Sequence, residues 1–362
     1  MPATPPSLPP SQQTPVPIEF RGDTREWFGI WIVNFVLSII TIGIYSAWAK
    51  VRQKKYFYQH TYVGGRNFDY HATGIQILIG RLIVIAGLVV FTVISAIPVL
   101  AIFAFLAFLF AVPWLVVRSL LFNARMSSWS NVRFGFFGSY GRAAKITILY
   151  PLLAALTLYL AAPFADRARR RFIVDNHTLG KTTFFFDAPI SKFYIAALAA
   201  VGWVLVVGAV LGFAIVQSGV LDGLFASLEG IDSPPPQAEI GITIATYAAL
   251  FVVFAPAGAL YYAMARNIVF NHSTLGGIHA FRSTVPPLGY VWIVITNAIV
   301  IVGSLFMLLP WAQIRKAKFL AAHTEMLVGG SLDEFVGTMQ DERNAIGDAY
   351  SDIEGLDLDI GI

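Results

Sequence analysis

The sequence predicts an all-α polytopic integral membrane protein with about seven hydrophobic segments, separated by five similar basic and aromatic junctions. Hydrophobic residues make up 57% of the 362 residues, charged residues make up 13%, and the mean hydropathy is +0.68. A soluble domain carries about 25% charged residues, so this chain has too few of them to cover a water-facing surface. The composition therefore predicts a membrane protein.

Seven apolar stretches reach the length of about 20 residues that a membrane-spanning helix needs. They lie at residues 27–48, 75–97, 99–121, 145–164, 193–216, 240–264 and 288–310. The second and third stretches meet at Pro98 with no charge between them, which predicts a tight helical hairpin. The fifth and sixth stretches are separated by residues 217–239, whose DSPPPQAE run predicts a loop.

The two chain ends differ from the apolar region between them. Residues 1–17 hold seven prolines and no lysine or arginine, which predicts a disordered arm and not a signal peptide. Residues 331–362 are acidic and are expected to form a solvated tail, in which the stretch LDEFVGTM is compatible with a short helix. The transmembrane domain is expected to extend over residues 18–330.

A polar motif follows five of the apolar stretches. It contains a hydroxyl residue, then glycines, then a phenylalanine, and the hydroxyl and the phenylalanine are seven residues apart in four copies. The copies that carry glycine contribute Thr61, Gly64, Phe68, Thr178, Gly180, Phe185, Thr274, Gly276 and Phe281. Glycines between short runs of β-branched and aromatic residues predict short β-hairpins at the junctions. Five copies indicate an internal repeat, although Ser331 stands where the fifth phenylalanine is expected.

An arginine precedes the hydroxyl in each copy. In the first copy it follows a tryptophan by four residues, as Trp48 and Arg52, so ring and guanidinium share one helix face at the membrane interface. Such residues are expected to contact anionic lipid headgroups. The predicted headgroup contacts are Arg52, Arg118, Arg169, Arg266 and Arg315. The expected partner is therefore the lipid bilayer, including its anionic lipids.

Arg81 lies inside the second apolar stretch. One interpretation is that its side chain extends to the interface, which requires no function. The other is that it faces the interior of the helix bundle and neutralises an anionic substrate or lipid. Arg81 is therefore the candidate functional residue within the membrane.

The charge pattern and the segment count predict different topologies. Of 25 lysines and arginines, 21 lie in the five junctions, and positive residues are retained in the cytoplasm, so every junction is expected inside. However, the second and third junctions are separated by the single stretch 145–164, and one complete crossing would put them on opposite faces. Either the single stretches are re-entrant, or three plus three segments form an inverted repeat, as in secondary transporters. The sequence leaves both topologies open.

The sequence contains no recognisable catalytic signature. It has no cysteine, which excludes disulfides, thiolate metal sites and a cysteine nucleophile. It has no Walker, GxGxxG, HExxH or GxSxG motif, and its six histidines lack the spacing of metal ligands. We therefore expect no catalytic residue, cofactor or metal, and an enzyme is the weakest of the function classes. Nucleic acid is not an expected partner, because the basic residues are spread over the junctions and do not form one surface.

One stretch resembles a known family. The run LSIITIGIYSAWAKVRQKKYFYQHTYVGGRNFDYHATG, with PWLVVR and NHTLG further on, resembles the YjgN-like bacterial inner-membrane proteins over roughly residues 18–330. The resemblance implies a multi-pass protein of the bacterial inner membrane and supplies no catalytic residues. Two functions remain open: transport-like passage of a small solute or lipid, and a non-transporting scaffold or anionic-lipid-interacting role.

Overall fold

The computed structural model describes residues 13–217 and 236–340, and the chain divides into two compact units. The first consists of Met1–Ala188, Val269–Ser283 and Gln313–Ile362, and the second of Pro189–Ile268 and Thr284–Ala312, with structure described only in the two ranges above. The predicted arm is described only from residue 13, and the predicted tail only as far as residue 340. The loop at residues 218–235 lies outside the described residues.

The first unit contains a closed barrel of ten antiparallel strands, so the prediction of an all-α protein is wrong. Each strand pairs with its neighbours in the chain, and the first pairs with the last. The strands are β1 (Gln13–Phe20), β2 (Thr61–Val63), β3 (Arg66–Tyr70), β4 (Ser127–Trp129), β5 (Val132–Phe136), β6 (His177–Leu179), β7 (Thr182–Phe186), β8 (Ser273–Leu275), β9 (His279–Ser283) and β10 (Thr324–Gly329). At three to eight residues, the strands are shorter than the nine to eleven residues that cross a bilayer.

Four hairpins of the barrel occur at the predicted junctions. In the first, Gly64 and Gly65 both have positive φ, 57° and 75°, which only glycine adopts without steric cost. In the second, Ser130 and Asn131 take the same positions with φ of 49° and 65°. The junction without glycine therefore makes the same kind of turn as the junction with two.

The two ends of the described chain form the fifth strand pair. Strand β1 pairs with β10 from Gln13↔Gly329 to Pro17↔Glu325 and with β2 through its last three residues. Residues 13–17 therefore belong to the barrel and not to the predicted disordered arm. The pairing also explains why Ser331 stands where the fifth phenylalanine was expected. Strand β1, and not a strand after β10, supplies the second strand of the fifth pair.

Apolar side chains fill the barrel. Trp129, Leu179, Leu275 and Met326 are buried there. Residues 332–340 form a helix, as the sequence allowed, and this helix packs Val336 and Met339 against the same cluster. The barrel axis is thus occupied by protein, and the start of the predicted acidic tail is part of the core.

The remaining helices of the first unit connect the strands. They are α1 (Thr24–Ile40), α2 (Ser46–Gln59), α3 (Gly74–Ser95), α4 (Pro98–Arg125), α5 (Tyr140–Ala144), α6 (Tyr150–Leu156) and α7 (Ala162–Asp175), with a π-helical turn at Lys145–Leu149 between α5 and α6. Helices α3 and α4 form the hairpin predicted at Pro98, where Pro98 begins α4.

The second unit contains α8 (Ile190–Gln217), most of α9 (Pro236–Asn271) and α10 (Pro287–Gly303), and α11 (Leu309–Ala322) begins within it. Tyr262 and Tyr290 stack with ring centroids 5.1 Å apart, and Asn267 exchanges two hydrogen bonds with the backbone of Val285. Asn297 donates to the Ala312 carbonyl over 3.1 Å. The apolar helices are therefore joined by polar contacts as well as by packing.

In the described residues, four helices are long and apolar enough to cross a membrane, not seven. They are Gly74–Ser95, Pro98–Arg125, Ile190–Gln217 and Thr243–Asn271. The other three predicted segments each break at a five-residue turn, at residues 41–45, 157–161 and 304–308. Two consecutive residues in each turn have positive φ, for example Leu158 at 49° and Tyr159 at 63°, which reverses the chain.

Candidate functional site: a basic groove between α2, α3 and α4

A cavity of about 570 Å³ in the first unit is lined by three helices that meet below the first two hairpins. Its cations are Lys50 on α2, Arg81 on α3 and Arg118 on α4. Helix α3 begins with a capping box between Thr73 and Gln76, which satisfies two backbone donors at its first turn. Arg81 follows two turns later and faces α2. We call this cavity the basic groove.

Hydrogen bonds and ring contacts orient the cations of the basic groove. Arg81 donates to the Ser46 hydroxyl at the start of α2 and, over 3.5 Å, to the Ser46 carbonyl. The guanidinium of Arg118 lies 5.5 Å from the centroid of the Trp114 ring, within cation–π range. No carboxylate lines the groove among the described residues. It therefore presents uncompensated positive charge.

Part of the wall of the basic groove is apolar. Ile77, Val84, Ile85, Leu115 and Phe122 line it beside the cations. Cations next to aliphatic and aromatic side chains suit a ligand with an anionic head and an apolar body.

A second cavity, of about 360 Å³, lies where the helices enter the barrel. Its lining comes from the last turns of the helices, such as Tyr58 and Asn123, and from the first residues of the strands, such as Ser127 and His177. The Ser127 hydroxyl donates to the Asn123 carbonyl over 2.8 Å and lies 3.4 Å from the Tyr58 hydroxyl. Burial lowers the pKa of His177, which favours its neutral form.

A row of phenylalanines packs against the barrel core, and two of its members, Phe68 and Phe134, also line this second cavity. Phe68, Phe134, Phe184 and Phe281 stack in sequence around the barrel, with centroids 6.2 to 6.4 Å apart. Each is the third residue of its strand. Ile18 of β1 packs against the same core, as the four phenylalanines do. The row therefore results from the equivalent positions that these phenylalanines occupy in their strands.

The predicted motif residues fall in two different registers. Thr61 begins β2, and Phe68 stands in the row. Thr178 and Thr274 are instead the second residues of β6 and β8, where His177 and Ser273 come first, and Phe185 lies one position after Phe184. The spacing of seven residues matched Thr178 to Phe185, but the equivalent pair is His177 and Phe184. Gly64, Gly180 and Gly276 all lie in turns with positive φ.

The predicted headgroup arginines have separate environments. Arg118 lines the basic groove, whereas Arg52 donates to the Asn34 side chain over 3.5 Å and lies above the Tyr45 ring. Arg169 pairs with Asp166 at 2.8 Å, and Arg266 lies beside the stacked tyrosines of the second unit. Counted back from the next strand, Arg52, Arg118 and Arg315 all stand nine residues away, Arg169 eight and Arg266 seven. Only three of the five therefore share a helical register.

Sequence analysis did not predict that Lys50 lines the same groove as Arg81. The spacing of these residues carries no signal, since they meet only because α2 folds back beside α3. Among the described residues, no group of three or more histidine, aspartate or glutamate side chains could hold a metal ion.

Comparison with known proteins identifies the family. The model of DUF898, described as a bacterial protein of unknown function, matches residues 15–353. The chain belongs to the DUF898 family. Among curated relatives, the inner membrane protein YjgN of Salmonella typhimurium is 34% identical over 143 residues, and that of Escherichia coli is 31% identical over 139 residues. These alignments cover 39% and 38% of this DUF898 chain.

The aligned parts cover little more than a third of the two relatives, 36% and 35% of their lengths. No solved structure matches this DUF898 chain. The family assignment therefore supports a membrane protein, and its activity has to be argued from the site.

Proposed function

We propose that this protein binds anionic, phosphate-bearing lipids of the bacterial inner membrane in the basic groove. The observation that carries the proposal is the convergence of Lys50, Arg81 and Arg118 on one cavity that no described carboxylate lines. A lipid phosphate would accept hydrogen bonds from the guanidinium groups, while the acyl chains would lie along the apolar wall. The inner-membrane location is inferred from the names of the relatives.

Transport-like passage of a solute or lipid has weaker support. The barrel interior is filled by side chains and by the helix at residues 332–340, so its axis offers no path. A scaffold that holds anionic lipids requires no path. We therefore favour the non-transporting function.

We also propose that the barrel lies on the cytoplasmic face and that the three broken segments are re-entrant. The proposal is supported by the barrel, because all five strand pairs belong to it and a single barrel favours one side of the membrane for all the junctions. The first limbs of the three helical hairpins have 17 residues, or about 25 Å of helix, which is less than the hydrocarbon thickness of about 30 Å. Lysines and arginines are retained on the cytoplasmic side of a membrane, so those of the junctions favour the cytoplasmic face for the barrel.

The test of the proposed function is lipid binding by the purified full chain in detergent, measured with short-chain phosphatidylglycerol and with phosphatidylcholine. We expect the double variant Arg81→Gln, Arg118→Gln to weaken phosphatidylglycerol binding at least tenfold, because each charge-assisted hydrogen bond contributes about 1.5–3 kcal/mol. Phosphatidylcholine should bind weakly to both proteins.

The matched control is Arg125→Gln, which removes one exposed positive charge from the same helix as Arg118 but outside the groove. We expect this variant to bind phosphatidylglycerol as the original protein does. Equal losses in Arg125→Gln and in the groove variants would refute the site, because binding would then follow net charge alone.

A further inference from the structure

A second cluster of positive charge lines a cavity of about 450 Å³ between the α5–α6 segment and α7. Arg142 and Lys145 contribute from one side, and Arg167 and Arg171 from the other. Arg142 and Lys145 are three residues apart and Arg167 and Arg171 four apart, so each pair shares one helix face. Asp175 is the one carboxylate in the described lining.

Two carboxylates, Asp175 in the lining and Asp187 outside it, hold the two α7 arginines in place. Arg167 donates its Nε to the Ala188 carbonyl over 2.6 Å and one Nη to Asp187 over 3.2 Å. Arg171 donates its Nε to Asp175 over 3.2 Å. Each guanidinium has five N–H donors, so donors remain for a ligand after these bonds are made. Because the forks are already oriented, binding would cost little side-chain entropy.

The opposite pair lies where the helix changes its hydrogen-bonding pattern. The π-helical turn begins at Lys145, directly after α5, and such turns are frequent at functional sites. Within the described residues, the side chains of Arg142 and Lys145 form no hydrogen bond or ion pair. Tyr150 and Phe164 pack edge to face at 5.2 Å and form an apolar border to the cavity.

We propose that this cavity is a second anion site, selective for a phosphomonoester. Four cations and Asp175 line the cavity, and Asp187 outside the lining pairs with Arg167 and Arg171, so the cluster keeps a formal charge of +2. A phosphomonoester carries about −1.5 to −2 near pH 7 and has three acceptor oxygens, so it matches more of these donors than a singly charged phosphodiester does. A lipid such as phosphatidic acid and a soluble phosphomonoester share this chemistry.

Only part of the RARRR sequence at residues 167–171 belongs to this site. Arg169 and Arg170 both pair with Asp166, at 2.8 and 2.6 Å. Their positive charges are therefore partly compensated, and only the first and last arginines of the run line the cavity. The site depends on the helical spacing within the run and not on its total charge.

The test is binding of short-chain phosphatidic acid, short-chain phosphatidylglycerol and glycerol phosphate to the purified full chain. We expect the double variant Arg142→Gln, Lys145→Gln to weaken phosphatidic acid binding at least tenfold and to leave phosphatidylglycerol binding in the basic groove unchanged. The variant Arg81→Gln, Arg118→Gln should show the converse pattern, so the two sites can fail separately. Each single variant, Arg142→Gln and Lys145→Gln, provides the same test should the double variant fold poorly.

Arg169→Gln is the matched control, since it removes a charge from α7 outside the cavity. Equal weakening in Arg169→Gln, or full phosphatidic acid binding in the Arg142 and Lys145 variants, would overturn the proposal. Binding of glycerol phosphate as tightly as phosphatidic acid would support the site and identify its ligand as soluble, whereas a strong preference for phosphatidic acid would identify a lipid.

Discussion

At the residue scale, His279 links the barrel to the helix that covers it. Its ring is buried, and the ring centroid lies 4.1 Å from that of Phe335. Its Nδ1 accepts a hydrogen bond from the Gly329 backbone N–H over 3.3 Å. Burial lowers the pKa of His279. His279 also lines a cavity of about 280 Å³, and Glu334 is the acidic residue in the described lining of that cavity.

His279 predicts a loss of stability in acid. The unfolded histidine takes up a proton near pH 6.5, whereas the buried one resists it, so the unfolded state binds more protons as the pH falls. Stability should therefore be complete above about pH 6.5 and decrease below it, by up to about 1.4 kcal/mol per pH unit for one proton. His71 and His177, whose pKa values burial also lowers, act in the same direction.

The measurement is the thermal midpoint between about pH 8 and about pH 5 for the original chain, His279→Gln and His323→Gln. Glutamine keeps an acceptor for the Gly329 N–H but does not titrate, so His279→Gln should show a shallower decline in acid. His323 precedes β10 and packs on the Phe319 ring of α11, so it serves as the control. Parallel curves for His279→Gln and the original chain would exclude the predicted role.

At the element scale, the three helical hairpins share one turn. A hydroxyl accepts a backbone N–H four residues ahead, as Thr41 does from Tyr45, Thr157 from Ala161 and Ser304 from Leu308, over 2.9 to 3.1 Å. The tips are apolar and exposed in the protein alone, with Ile42 at 94%, Leu158 at 87% and Leu305 at 80%. Exposure of these apolar tips to water is unfavourable, whereas their burial in the hydrocarbon of a membrane is favourable.

Removing one hydroxyl should loosen one hairpin. Thr157→Val keeps the shape of the side chain but leaves the Ala161 N–H unpaired, which costs about 1–3 kcal/mol where water is excluded. We expect faster hydrogen exchange at residues 157–161 in the membrane-embedded protein. Thr92→Val is the control, because Thr92 only donates to a carbonyl of its own helix. Unchanged exchange in Thr157→Val would show that the turn does not depend on the hydroxyl.

At the scale of the whole molecule, the sequence predicted the local elements better than their assembly. The glycines identified three of the four hairpin turns, and the apolar stretches identified the four long helices. Hydropathy could not separate the four long helices from the three broken segments, because Ile42, Leu158 and Leu305 are as apolar as a helix interior. The break is visible only in the backbone angles of these residues. Barrel closure could not be predicted either, because β1 and β10 are separated by about 300 residues.

Cysteine labelling tests the shared side of the junctions, since the chain contains no cysteine of its own. We expect Ser130→Cys and Lys181→Cys to resist a membrane-impermeant maleimide in intact cells and to react after lysis. Leu158→Cys, at a hairpin tip, should stay unreactive in both conditions because the proposed re-entrant topology puts it in hydrocarbon. Reaction of Lys181→Cys from outside would refute the one-sided barrel and favour the inverted repeat.

The pairing of β1 with β10 has a consequence for the order of synthesis. Strand β1 leaves the ribosome before its partner β10, which is made only after the membrane helices of the described residues. Until then, β1 and the growing end of the sheet carry unpaired backbone groups, which invite wrong partners. The barrel can therefore close only after β10 has been made, and a chain that stops before β10 retains an open edge by which quality-control proteases could recognise it.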